Sequence, residues 1–151
     1  METNIKITVS ITDDIAGLPL KKDEVRKLLI IVSEGEKTDV TSLGVIFVGA
    51  EHIRDLNSRF LNHDYETDVI TFPLHTAGES IEGEIYICAK IAEKQAVNFN
   101  VSYREELMRL IIHGMLHLAG YNDTKNIERK NMMNIGEKYL DCYIKKTNAQ
   151  K

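Results

Sequence analysis

The chain of 151 residues contains two cysteines, Cys88 and Cys142, too few for a disulfide framework, and nothing pairs them with a motif. After Met1 there is no basic segment leading into an apolar run, so no secretory leader is read, and the cytoplasm is the expected compartment. Long hydrophobic runs are also missing. The two longest nearly uncharged apolar stretches, 42–50 and 110–121, fall short of the roughly 20 residues that cross a bilayer. Nor is there an excess of positive charge. Nineteen Lys and Arg stand against 23 Asp and Glu, a net of -4, which excludes a polycation that coats nucleic acid through bulk charge while leaving room for a local basic face. With no repeat, low-complexity stretch or linker, the sequence predicts a single domain over 1–144 followed by a polar tail at 145–151. What is present is the balance of a folded domain, 43% hydrophobic and 28% charged.

Ile5, Ile7, Val9 and Ile11 alternate with polar residues, the period of a strand with one buried face, and Asp13-Asp14 punctuate its end. Val25, Leu28, Leu29 and Val32 then recur at helical spacing from Lys22 to Glu34, with an end near Gly35. Residues 42–49 form a continuous apolar run, as in a strand covered on both faces, and Glu51–Asn62 follows as a helix carrying Ile53, Leu56, Phe60 and Leu61. This βα step makes the sheet at least partly parallel. Asp68–Leu74, broken by Pro73, and Glu84–Ala89 read as two strands of a hairpin, and Ile91–Asn98 as a short helix. Ser102 with Glu105 and Glu106 starts a longer helix, apolar almost all round from Leu107, which Gly120 ends. Thr124 opens a last helix carrying Ile127, Met132, Ile135, Tyr139 and Leu140. The expected fold is α+β, a single domain with a roughly four-stranded mixed sheet and about five helices, its site on a central helix and the following loop.

The chemistry concentrates between His113 and Asp123. Histidines four apart project from one helix face and can share a metal, and imidazole nitrogen suits zinc and neighbouring transition metals. A reversal after Gly120 brings the Asp123 carboxylate toward the same point. Three protein ligands leave a position open, which favours catalysis over a closed structural site. A histidine pair at this spacing is by itself more often solvated or satisfied in a core. Here it interrupts an apolar helix, a glycine follows at the turn, and a third donor is correctly spaced. Zinc proteases place a glutamate directly after the first histidine as general base; Gly114 stands there, so a protease is disfavoured.

The segment His113-Gly-Met-Leu-His117-Leu-Ala-Gly-Tyr-Asn-Asp123 resembles the His-Gly-x-Leu-His-Leu-x-Gly-Tyr-Asp-His signature of the YbeY family of metal-dependent endoribonucleases. Leu56-Asn57, Thr67-Asp68-Val69-Ile70-Thr71-Phe72-Pro73 and Gly83-Glu84-Ile85-Tyr86-Ile87 are similar to further blocks of that family, in order. The resemblance implies a single-strand-specific endoribonuclease acting on rRNA precursors in ribosome maturation and quality control. It further implies ribosomal components as partners, a metal at the bottom of a cleft beside the sheet, and His113, His117 and Asp123 as ligands of one zinc ion, with nickel or another divalent transition metal as alternatives. His113 and Arg59 are the catalytic candidates.

Two positions depart from the family pattern. Asp123 replaces the usual third histidine, which changes the charge of the ligand set by one unit. Leu61 occupies the column of an arginine important for activity, and Arg59, two residues earlier, points about 200° around the helix from it. Arg59, Lys90, Lys94 and Arg109 are the basic side chains that could hold a phosphate backbone, against an ordinary reading as surface charge. Thr67 and Asp68 either position a ligand or shape the turn into the third strand; Asn57 and His63 read as local capping or solvation, Tyr121 and Phe72 as packing. Two other functions fit the residues: a non-catalytic RNA-binding or ribosome-assembly factor in which the metal fixes the turn, and a metallohydrolase of small substrates.

Overall fold

The computed structural model describes residues 5–12 and 15–149, so Asp13 and Asp14 lie outside the described residues, with 1–4 and 150–151. The chain runs β1 (Lys6–Ile11), α1 (Lys22–Glu36), β2 (Val40–Val48), α2 (Ala50–Leu61), β3 (Val69–Pro73), β4 (Ile81–Cys88), α3 (Ala89–Phe99), α4 (Tyr103–Leu118) and α5 (Asn126–Ala149). The strands form one mixed sheet in the order β1-β2-β4-β3. β1, β2 and β4 are parallel, and β3 closes the edge antiparallel to β4, as the hairpin reading expects.

Alternation along the two central strands divides the molecule. Leu43, Val45 and Phe47 of β2 and Ile85 and Ile87 of β4 join the main core with Val25, Leu28, Leu29 and Val32 of α1 and Met132, Leu140 and Tyr143 of α5. On the opposite face Val48, Ile70 and Cys88 pack against Ile53 of α2. α4 fills the centre of the main core, with ten residues buried between Glu106 and Leu118, which accounts for its nearly continuous apolar sequence. Two glycines seat it on β4. A Cβ on Gly114 would lie 2.6 Å from Ile85 Cγ2, and one on Gly83 2.8 Å from Leu118 Cδ2. The residue following His113 is therefore small because the sheet is too close for anything larger.

Several details differ from expectation. α1 passes through Gly35 and ends at Glu36, where Lys37 takes the left-handed conformation at φ 55°. Gly35 serves instead as a seat for the Tyr139 ring, which a Cβ there would overlap. Ile127, expected on the packed face of α5, is 84% exposed, because burial on α5 begins only at Met132. α5 also stays helical through Ala149, over the first part of the segment read as a tail. Among the described residues no helix is long and apolar enough to cross a membrane.

Candidate metal centre

α4 starts on Ser102, whose hydroxyl accepts from the Glu105 amide at 3.0 Å. It ends in a Schellman turn. Gly120 at φ 107° donates its amide to the His117 carbonyl, and Tyr121 donates its amide to the Leu116 carbonyl, each at 3.0 Å. This reversal brings the Tyr121 carbonyl back over His117, 3.2 Å from Nδ1. A carbonyl only accepts, so Nδ1 is the donor in that contact, and in the neutral ring the lone pair lies on Nε2. Nε2 faces Asp123 Oδ2 at 3.4 Å. An imidazole lone pair opposite a carboxylate oxygen is a favourable arrangement only with a proton or a cation between them. Arg129 Nε donates to the Asp123 backbone carbonyl at 3.3 Å and holds the loop at its far side.

His113 stands one turn back on the same helix. Its Nε2 is buried with no hydrogen-bond partner among the described residues, and the ring lies against Gly136 of α5, where a Cβ would come within 3.3 Å of Nε2. Burial pushes the His113 pKa down, against the opposing field of Asp68, which keeps the ring neutral at pH 7. A buried, unpaired polar atom costs about 1–3 kcal/mol, and proteins keep few of them.

Arg109, one turn before His113, is not free to hold RNA. Its guanidinium contacts Glu106 at 2.8 Å, Glu105 at 3.2 Å and Glu137 of α5, with 17% of the side chain exposed. Three carboxylates take four of its five N–H donors, and the structure thereby argues against its reading as a phosphate-binding group. Glu106, 2% exposed, has its carboxyl raised above the usual range by burial, even with Arg109 pulling the other way. Asp68 shapes the entry to β3, accepting from the Val69 amide at 2.8 Å and from Gln95 Nε2 at 3.2 Å. Asn57 is buried and donates to the Tyr65 carbonyl at 2.9 Å, holding the loop between α2 and β3. His63 is exposed and tilted over Tyr65, while Phe72 packs edge-on between Phe60 and Tyr86.

Arg59 is exposed on α2 and paired with Asp55 at 3.2 Å, on the helix that covers the sheet face opposite α4. Leu61 is 45% exposed at the end of that helix, and Lys90 and Lys94 are exposed on α3. The Arg109 partners Glu106 and Glu137 were not read as such from the sequence. Only Glu106, three residues before Arg109, carried a local signal.

Two imidazoles, one buried with an unmatched nitrogen, and a carboxylate 3.4 Å from the other fit a divalent transition metal by donor chemistry. Among the described residues, no three His, Cys, Asp or Glu side chains converge closely enough to hold one.

The chain was compared with known proteins. The profile of the family described as Endoribonuclease YbeY matches residues 7–143. The Endoribonuclease YbeY of Chlorobaculum parvum is 44% identical over 113 residues, covering 75% of this chain and 78% of that protein. The protein of the same name from Salinibacter ruber is 31% identical over 144 residues, 90% of this chain and 92% of its own length. The solution structure of TM1509 from Thermotoga maritima superposes with a TM-score of 0.67 at 32% identity, covering 95% of this chain and 93% of that one. On profile, identity and fold together, the chain belongs to the Endoribonuclease YbeY family.

Proposed function

We propose that this protein is a metal-dependent endoribonuclease specific for single-stranded RNA, acting on rRNA precursors during ribosome maturation, with His113, His117 and Asp123 holding one divalent ion, zinc first among the candidates. Family membership supports the endoribonuclease activity, a hydrolysis of RNA phosphodiester bonds. The observation that carries the metal is the His117 Nε2 lone pair turned toward Asp123 Oδ2.

A bound ion supplies Lewis acidity toward a phosphodiester oxygen and lowers the pKa of a water ligand toward neutrality. The rest falls to the chain. The Tyr121 carbonyl holds the His117 proton on Nδ1, burial keeps His113 neutral so that its Nε2 remains a donor to metal, and Asp123 contributes the negative charge. Arg59 is the candidate phosphate contact outside this set. Its exposed pair with Asp55 is worth less than about 1 kcal/mol and exchanges readily for a phosphate oxygen.

The test is metal content by elemental mass spectrometry on tag-free protein purified without chelator, beside His117→Ala, followed by cleavage of a single-stranded RNA at substoichiometric enzyme. About one transition-metal ion per chain in the parent, a large loss in the variant, and multiple turnovers bear the proposal out. A parent that carries no metal and takes up none from zinc, nickel or manganese overturns it.

A second reading, an assembly factor that binds RNA without cutting it, draws on the apolar Leu61 in the family's arginine column and on the engagement of Arg109 by carboxylates. It predicts a metal-loaded protein that binds RNA and leaves it intact.

A further inference from the structure

Glu36, the last residue of α1, receives two tyrosine hydroxyls, one from the histidine loop and one from α5. Tyr121 donates to its Oε1 at 2.7 Å across 85 residues of sequence, and Tyr139 of α5 donates to its Oε2 across 103. Tyr121 is the residue whose backbone carbonyl fixes the His117 proton on Nδ1. One carboxylate thus pins, through a single side chain, the carbonyl that sets which nitrogen of His117 faces Asp123. The supporting contacts agree with such a role. α1 carries through Gly35 so that Glu36 is presented at the helix end, and Gly35 leaves the space in which the Tyr139 ring lies. Without this anchor Tyr121 keeps the Schellman turn and the packing of its ring against the main core, but its side chain loses the hydrogen bond that fixes its reach to α1.

We infer that Glu36 is a remote positioning residue of the site: by anchoring the Tyr121 hydroxyl it keeps His117 in the Nδ1-protonated tautomer with Nε2 presented toward Asp123. The metal-binding part of its test rests on the proposed function above; the tautomer part does not.

The experiment compares the parent with Glu36→Ala, Tyr121→Phe and Tyr139→Phe. Long-range proton–nitrogen NMR on chelator-treated protein reads the His117 tautomer, and competition with a chromophoric chelator reads zinc affinity. The parent and Tyr139→Phe are expected to show one tautomer, Nδ1–H. Glu36→Ala and Tyr121→Phe are expected to show a mixture of the two and a loss of roughly 10- to 100-fold in zinc affinity, the usual effect of removing an outer partner of a ligand histidine. Tyr139→Phe should stay within about twofold of the parent, because it leaves the Glu36–Tyr121 bond in place. If Glu36→Ala fails to fold, Tyr121→Phe, which removes a single oxygen, decides the matter alone. A single Nδ1–H tautomer retained in Tyr121→Phe and in folded Glu36→Ala overturns the inference. A parent that binds no zinc overturns the metal proposal, while the tautomer result still settles the role of Glu36.

Discussion

The two halves of α4 carry polar groups through the same apolar core and treat them in opposite ways. In the first half Arg109 meets Glu105, Glu106 and Glu137, and Arg104 meets Glu24 of α1, so each cation is matched by carboxylates. In the second half His113 Nε2 has no partner among the described residues, and His117 presents a lone pair to a carboxylate. A cluster whose cations are engaged by carboxylates offers little to a ligand; its value is architectural, tying α1 and α5 to the central helix. An unsaturated one is kept at a cost in stability, and that cost is the mark of a site.

Removing Arg109 should give the largest effect. Arg109→Ala strands the Glu106 carboxylate in the core and is expected to cost on the order of 3 kcal/mol in urea unfolding, with the half-exposed Glu137 adding little. A loss under about 1 kcal/mol would break the contrast between the halves. Next, Gly114→Ala forces a methyl against Ile85, and overpacking should outweigh the gain in helix propensity for a net loss of about 2 kcal/mol; equal stability by the same measurement would show that α4 lifts off the sheet freely.

His113→Leu should carry the opposite sign. By replacing an unmatched buried nitrogen with carbon, it is expected to stabilise the chelator-treated protein by about 1 kcal/mol while abolishing stoichiometric zinc uptake. Destabilisation would mean that the nitrogen already has a partner. The smallest effect belongs to Glu24. The hydrogen bond from Arg104 holds its carboxyl below the ordinary 4.5, so its contribution is fully present above about pH 4.5 and is lost as the pH falls through its lowered value. Because both side chains are partly exposed, Glu24→Gln should flatten the acid limb of the stability profile by less than about 1 kcal/mol, read from unfolding midpoints between pH 3 and 6.

The elements legible in the sequence are those whose causes are local. Ser102 with Glu105 marked the start of α4 and Gly120 its end because a cap is made by neighbours in the chain, and the continuous apolar run in 42–49 marked β2 because burial on both faces leaves no other composition. The candidate donors were legible for the same reason: one helical turn and one reversal place His113, His117 and Asp123. What escaped was decided at a distance. Gly35 looked like a helix end, yet its small size serves a tyrosine on α5, and Arg109 looked like a free cation because nothing in its own stretch predicts the approach of Glu137. The support for His117 was hidden likewise, since Glu36 and Tyr121 share no local pattern.

The tyrosine clasp on Glu36 also bears on the order of assembly. Its two bonds close loops of 85 and 103 residues, and contacts so far apart in sequence are formed late because chain entropy opposes them until the intervening structure is in place. As the chain leaves the ribosome, Glu36 emerges first and waits for Tyr121, then for Tyr139 in the last helix. The histidine helix can therefore be complete, donors and all, before its loop is fastened. A nascent chain would hold the histidine helix before Tyr121 reaches Glu36, and the clasp would gain its second bond only with the final helix.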